Sequence, residues 1–183
     1  MTLEIKSAYL AAEGFLDPLL KELEGTTGIC DRLVLSSKPA KTAHWAQNIW
    51  RNPQVIHIES ISNAAKQLLA IQRKWFLYSH TLHRRAKLIL DKLPPVNSKP
   101  MSFPSTLPTI PLGSFTLLDE NTLLASADCS NPLPNGEAHF IEDKKGPPNR
   151  AYLKIYEALT LTGATPKPGE FCIDVGGSPG GWA

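Results

Sequence analysis

A chain of 183 residues, 42% hydrophobic and 20% charged, has the composition of a globular protein rather than a disordered one. It is long enough for one ordinary domain or two small ones. A net charge of +2 permits a nucleic-acid partner without requiring one. Cys30, Cys129 and Cys172 are too far apart for a disulfide framework or a cysteine zinc site. His80 and His83 lack a third ligand type beside them, so no metal is expected. No run approaches the ~20 apolar residues of a membrane span, and residues 1–12 lack a basic stretch leading into an apolar one. A cytoplasmic protein without a membrane partner is the expectation.

In chain order, residues 7–12 (SAYLAA) read as a short strand, and Leu16, Leu19, Leu20 and Leu23 recur at helical spacing before Gly25 and Gly28 close that element. Apolar runs at 33–35 and 55–59 are expected strands, with a short helix over 42–50 carrying Trp45 and Trp50 between them. Trp45, Trp50 and Trp75 are expected in the core. Ser62 or Asn63 can cap a helix bearing Ala65, Leu68 and Leu69 on one side. A second helical pattern runs through Leu82, Ala86, Ile89 and Leu93 and stops at Pro94 and Pro95. The aromatic cluster at 75–78 favours a strand or turn between the two.

Pro94, Pro95, Pro100, Pro104, Pro108 and Pro111 make a linker-like stretch. An antiparallel pair at 114–118 and 122–127 follows, joined by Asp119-Glu120-Asn121. Residues 139–141 suggest another strand and 144–148 a hinge. Asn149 can cap a helix reaching Leu161, stopped by Gly163. Pro166, Pro168 and Gly169 then turn into 171–175 (FCIDV), an apolar run typical of a buried parallel strand, where Cys172 would pack.

That run ends in a glycine-rich loop, residues 176–182 (GGSPGGW). A phosphate-binding P-loop is excluded because its Lys-Ser/Thr ending is missing. The dinucleotide fingerprint fails because Ser178 stands where its second glycine belongs and Pro179 stiffens the turn. What remains is Asp174 followed by glycines, which lets backbone lie close to a ligand while a carboxylate receives a cationic group or organises the loop.

Residues 171–183 (FCIDVGGSPGGWA) resemble the first cofactor motif of the FtsJ-type RNA ribose methyltransferases, of usual form D-L-G-x-x-P-G-G-W, and match it at Asp174, Gly176, Pro179, Gly180, Gly181 and Trp182. Residues 149–158 (NRAYLKIYEA) are similar to the family's S-R-A-x-x-K-L-x-E segment, with Asn149 and Ile155 in place of serine and leucine. The resemblance implies S-adenosylmethionine as cofactor, held by Asp174, Gly176, Gly177, Ser178, Pro179, Gly180, Gly181 and Trp182. It implies transfer to a ribose 2′-hydroxyl. It also makes Lys154 the first member of a Lys-Asp-Lys-Glu catalytic set whose other members are expected beyond residue 183. The 183-residue chain alone is then expected to be inactive and to bind the cofactor weakly or not at all. An unpaired strand at 171–175 would need cover from elsewhere in the chain or from a second molecule, so self-association is a further expectation.

The layout before the motif is similar to the RlmM-like branch of that family, which modifies large-subunit (23S) ribosomal RNA. Residues 9–23 fit its strand, Gly-Phe and helix opening, and 55–94 are similar to part of a THUMP RNA-binding domain. The implied organisation is an α+β, THUMP-like or ferredoxin-like RNA-binding domain over 1–93, a proline-rich linker over 94–112, and a hairpin region packing on the first domain over 113–145. Residues 146–183 would open a Rossmann-like α/β domain. A basic stretch supports the RNA reading. Arg73, Lys74, Arg84, Arg85 and Lys87, joined by Arg150 further on, are candidate RNA contacts, since such clusters neutralise phosphates without regard to sequence. The alternative is a non-catalytic RNA-binding or partner-binding module.

Overall fold

A computed structural model describes residues 4–147, 149–173 and 175. Among these residues the chain is an α+β protein of nine strands in two mostly antiparallel sheets, with four α-helices. It divides into two compact units, Met1–Asn97 with Thr109–Glu137, and Ser98–Pro108 with Ala138–Ala183.

In the first unit, β1 (Ser7–Ala11), α1 (Leu16–Glu22), β2 (Thr26–Cys30), β3 (Leu33–Ser36) and β4 (Ala46–Arg51) are followed by β5 (Gln54–His57) and α2 (Ile61–Ile71). Then come β6 (Trp75–Leu77), α3 (His83–Leu90), β7 (Gly113–Leu117), β8 (Thr122–Ser126) and β9 (Asp128–Cys129). One sheet has the order β2-β3-β1-β4-β9 and is antiparallel throughout. The other has the order β5-β8-β7-β6, with β6 and β7 parallel.

The side-chain period of two sorts each strand onto two buried faces. Along β1, Tyr9 and Ala11 face α1, where Leu19 packs with Val34 and Ile49. Ala8 and Leu10 face the other way, with Leu33, Leu35 and Trp50, and meet Leu124 of the second sheet and Tyr78, which follows β6. The far side of that sheet, Phe115, Leu117 and Leu123, is covered by Leu68 of α2 and by Ala86 and Ile89 of α3. The unit is therefore four layers deep: helix, sheet, sheet, helix pair. Burial on both faces explains why β1, β3 and β7 read as unbroken buried runs. Each large apolar side chain so enclosed contributes about 1.5–3 kcal/mol.

The two sheets share a corner. β4 continues into β5 through Asn52 and Pro53, and β8 continues into β9 through Ala127. Arg51↔Asp128 and Trp50↔Cys129 pair on one side of the bend, and Gln54↔Ala125 opens the ladder on the other. Asn52 takes a left-handed φ of +48° at the turn, a conformation asparagine tolerates better than most residues. The Ser126 hydroxyl lies 2.6 Å from the Arg51 carbonyl and 2.9 Å from that of Asp128, so its single proton is shared across the bend between β4 and β9.

In the second unit, α4 (Tyr152–Thr162) ends at Gly163, which has φ +66°. Tyr152 and Tyr156 share one helical face, and the Tyr156 ring stacks on Phe103 at 3.9 Å while meeting Phe140 edge-on at 5.7 Å. Residues 139–141 form no strand. Only a single parallel bridge, Met101↔Phe140, stands there.

Several expectations are corrected. Residues 42–50 are not a helix: 46–51 are β4, because pairing with β1 and β9 outweighs local preference. β2 and β9 were not foreseen. The helix cap of α2 is Ser60, whose side chain accepts from the Asn63 amide at 3.1 Å, rather than Ser62 or Asn63. Trp50 and Trp75 are buried, but Trp45 is 43% exposed and stacks on Phe15 at 5.0 Å. The described residues of 171–175 form no strand, and Phe171, Ile173 and Val175 are 89%, 73% and 90% exposed. Cys172 is exposed as well. A strand buried on both faces needs neighbours to pair with and a layer to cover it, and no described strand pairs with this run. Nor does any parallel α/β sheet of Rossmann type occur among the described residues.

Candidate functional site

Two places hold the residues singled out by the sequence. The first is the start of α4. Asn149 folds its side chain back so that Oδ1 accepts from the Ala151 amide at 2.8 Å, which organises the helix entry. Tyr152, one turn before Tyr156, is buried, and its hydroxyl oxygen accepts from the Asp143 amide at 2.8 Å. The Asp143 carboxyl is held below its ordinary value by the amides of Lys145 and Gly146, which donate to it. Lys154, two residues after Tyr152, falls on the opposite face of the helix and is exposed. Arg150 forms an ion pair with Glu142 at 2.6 Å, so its charge is locally matched. Asp174, Gly176, Gly177, Ser178, Pro179, Gly180, Gly181 and Trp182 lie outside the described residues.

The second place is an open hollow of about 630 Å³ at the beginning of α3. Arg84 and Arg85 line it with His83 and Glu120, and Ile61, Leu82 and Leu88 form its apolar wall. Leu82 enters the helix in a left-handed conformation, φ +48°, and offers no side-chain cap. His83 is steadied by a 2.7 Å contact between its Nδ1 and the Ser79 hydroxyl. Of the other basic candidates, Lys87 is paired with Asp91 at 2.7 Å one turn along the helix. Arg73 is exposed and Lys74 half-buried, both just before β6, and neither lines the hollow. Sequence reasoning therefore found Arg84 and Arg85 but missed Glu120. It reads as a turn residue, and nothing in its local pattern signals that the β7–β8 turn comes over α3.

A polar cluster beside β3 was also missed. The Tyr78 hydroxyl donates to Asp31 at 2.6 Å and accepts from the Arg32 amide at 3.0 Å. Burial, then the bond to Asp31, push its phenol up to about 12. His80 stacks on Tyr78 and contacts the Thr116 hydroxyl at 3.0 Å. Burial lowers its pKa, against an opposing pull from Asp31. Arg32 reaches Glu137 at 3.5 Å and the Ala11 carbonyl at 2.8 Å. These groups satisfy one another and tie the β2–β3 turn to the end of β6, which is a structural task.

Among the described residues no three His, Cys, Asp or Glu side chains are grouped to hold a metal ion. No described helix is long and apolar enough to cross a membrane. No protein-family model, no curated protein and no solved structure matches this chain.

Proposed function

We propose that this chain belongs to an S-adenosylmethionine-dependent RNA ribose 2′-O-methyltransferase acting on 23S ribosomal RNA. In this reading an RNA-binding first part precedes the opening of the catalytic domain. The observation that carries it is the run from Asp174 through Trp182, D-V-G-G-S-P-G-G-W, set twenty residues after Lys154. The exposed position of Lys154 near the start of α4 supports the reading. A ribose hydroxyl is a weak nucleophile near neutral pH and gains from a nearby base or cationic field, and Lys154 is the residue assigned that task. S-adenosylmethionine, when bound, supplies the electrophilic methyl group. The THUMP-like character of the first part, the Rossmann-like character of the last, a cytoplasmic location and self-association through 171–175 belong to the same proposal. The exposed Phe171, Ile173 and Val175 support that last element, since apolar side chains at such exposure call for cover.

The test uses the protein expressed from its own gene, with 23S ribosomal RNA and cofactor carrying a tritiated methyl. Label should appear in alkali-resistant dinucleotides, which mark 2′-O-methylation, and Lys154→Met should lower kcat by about 10²–10⁴ with little change in RNA retention. Absence of transfer by a protein that retains RNA would overturn the enzyme reading. It would favour the second one, a non-catalytic RNA-binding module, for which the arginine-lined hollow of the first unit speaks.

A further inference from the structure

The hollow at the start of α3 combines features that ordinary surface arginines lack. Its volume, about 630 Å³, falls in the range of roughly 300–1,000 Å³ typical of small-ligand sites. Arg84 and Arg85 both line it, and among the described residues neither forms an ion pair with an acidic side chain. The Arg85 Nε is buried and has no hydrogen-bond partner among the described residues. A buried donor left unmet is costly, so the Arg85 side chain gains from any shift that brings its guanidinium an acceptor. A guanidinium fork fits a phosphate with two parallel bonds. The first-turn amides of α3, an eight-residue helix, have no side-chain cap and add to the same field. Leu82 and Leu88, the latter 43% exposed, also line it and offer aliphatic carbon to the face of a base. Glu120 completes the lining as an exposed carboxylate that pairs with neither arginine.

We propose that this hollow seats one nucleotide of single-stranded RNA, its phosphodiester on Arg84 and Arg85, its base against Leu82 and Leu88, and its sugar hydroxyl donating to Glu120. The carboxylate decides the class of ligand. It accepts from a 2′-hydroxyl, which distinguishes RNA from DNA, and it repels a polyphosphate, so a singly charged diester fits better than a nucleoside triphosphate. The proposal rests on the RNA-binding half of the reading above and is independent of methyl transfer, so failure of the methyl-transfer assay leaves it standing.

The test is titration of a short fluorescein-labelled single-stranded RNA with the full chain at several salt concentrations. Arg84→Ala/Arg85→Ala should weaken binding about tenfold or more. It should also reduce the slope of log K against log salt by about 0.7, the share of the one phosphate the two arginines hold. Lys66→Ala/Lys92→Ala, which removes two charges outside the hollow, should change affinity less than about twofold. Should the first double variant fail to fold, Arg84→Glu keeps Arg85 in place and should still abolish most of the binding. Glu120→Ala should narrow the preference for RNA over the DNA strand of the same sequence. Unchanged affinity and salt slope in the arginine variants would overturn the site while leaving RNA binding elsewhere intact. Competition by inorganic phosphate as strong as by uridine monophosphate would overturn the nucleotide assignment.

Discussion

Gly113 opens β7 directly beneath the indole of Trp75, and replacing it with alanine is the sharpest probe of how the second sheet is closed. A Cβ built at this position lies 2.7 Å from Trp75 Cε3 and 2.8 Å from Cζ3, and it also meets the Gln72 side chain. The ring has nowhere to retreat. Trp75 is fully buried, and its Nε1 lies 2.9 Å from both the Leu68 and Gln72 carbonyls at the end of α2. Overpacking of this kind costs about 1–3 kcal/mol, and loosening the indole bond adds about 1 kcal/mol. Removing glycine's extra freedom in the unfolded chain returns about 0.5–1 kcal/mol. The net expectation is a loss of about 2 kcal/mol, or a Tm lower by roughly 4–8 °C. Urea unfolding followed by tryptophan emission reads it, because Trp45, Trp50 and Trp75, three of the four tryptophans, lie in the first unit. The midpoint should fall at unchanged slope. A midpoint within about 0.5 kcal/mol of the parent protein would refute the packing argument.

Two further outcomes follow from single contacts. Ser60→Ala removes the cap on the Asn63 amide and should cost about 1 kcal/mol in the same urea assay, with Ser60→Asp close to the parent. Tyr78→Phe should cost about 1 kcal/mol at neutral pH, since Asp31 is exposed and water replaces its donor. The phenol pKa is raised from 10.0 to about 12, so its contribution is complete below pH 10 and is lost as pH climbs through about 12. Unfolding midpoints taken across that window should fall less steeply in Tyr78→Phe than in the parent. Equal slopes would contradict the assignment.

The sequence disclosed those elements whose side chains alternate or recur strongly by themselves. The Leu16–Leu23 spacing, the VIHIE run, the two halves of the β7–β8 hairpin and the Asn149 to Gly163 helix all stand close to where their patterns place them. It hid elements made by pairing. Thr26–Cys30 carries two threonines and a glycine and becomes a strand because β3 lies beside it. Ala46–Arg51 follows Trp45, contains Trp50 and shows no clear period, and its fate is decided by β1 on one side and β9 on the other. The hollow was half legible for the same reason. Arg84 and Arg85 sit next to each other in the chain, whereas Glu120 arrives from a hairpin thirty-five residues later (120 minus 85). The run at 171–175 misled in the opposite direction, since its composition asks for a sheet that no described strand provides.

The shared corner also sets an order of events during synthesis. β4 and β9 meet at Trp50↔Cys129, seventy-nine residues apart (129 minus 50). At ribosomal rates of about 5–20 residues per second, β4 waits roughly 4–16 s for that neighbour. β5 waits nearly as long for β8, since Gln54 pairs with Ala125. During this interval β1 to β4 can assemble with α1, while the outer edge of β4 and all of β5 present unpaired amides and carbonyls to solvent or to a ribosome-bound chaperone. The hairpin of β7 and β8 therefore acts as a late fastener: its arrival closes both sheets in a single step, and a pause in translation shortly before residue 122 would prolong the period in which the nascent chain is open to strand addition.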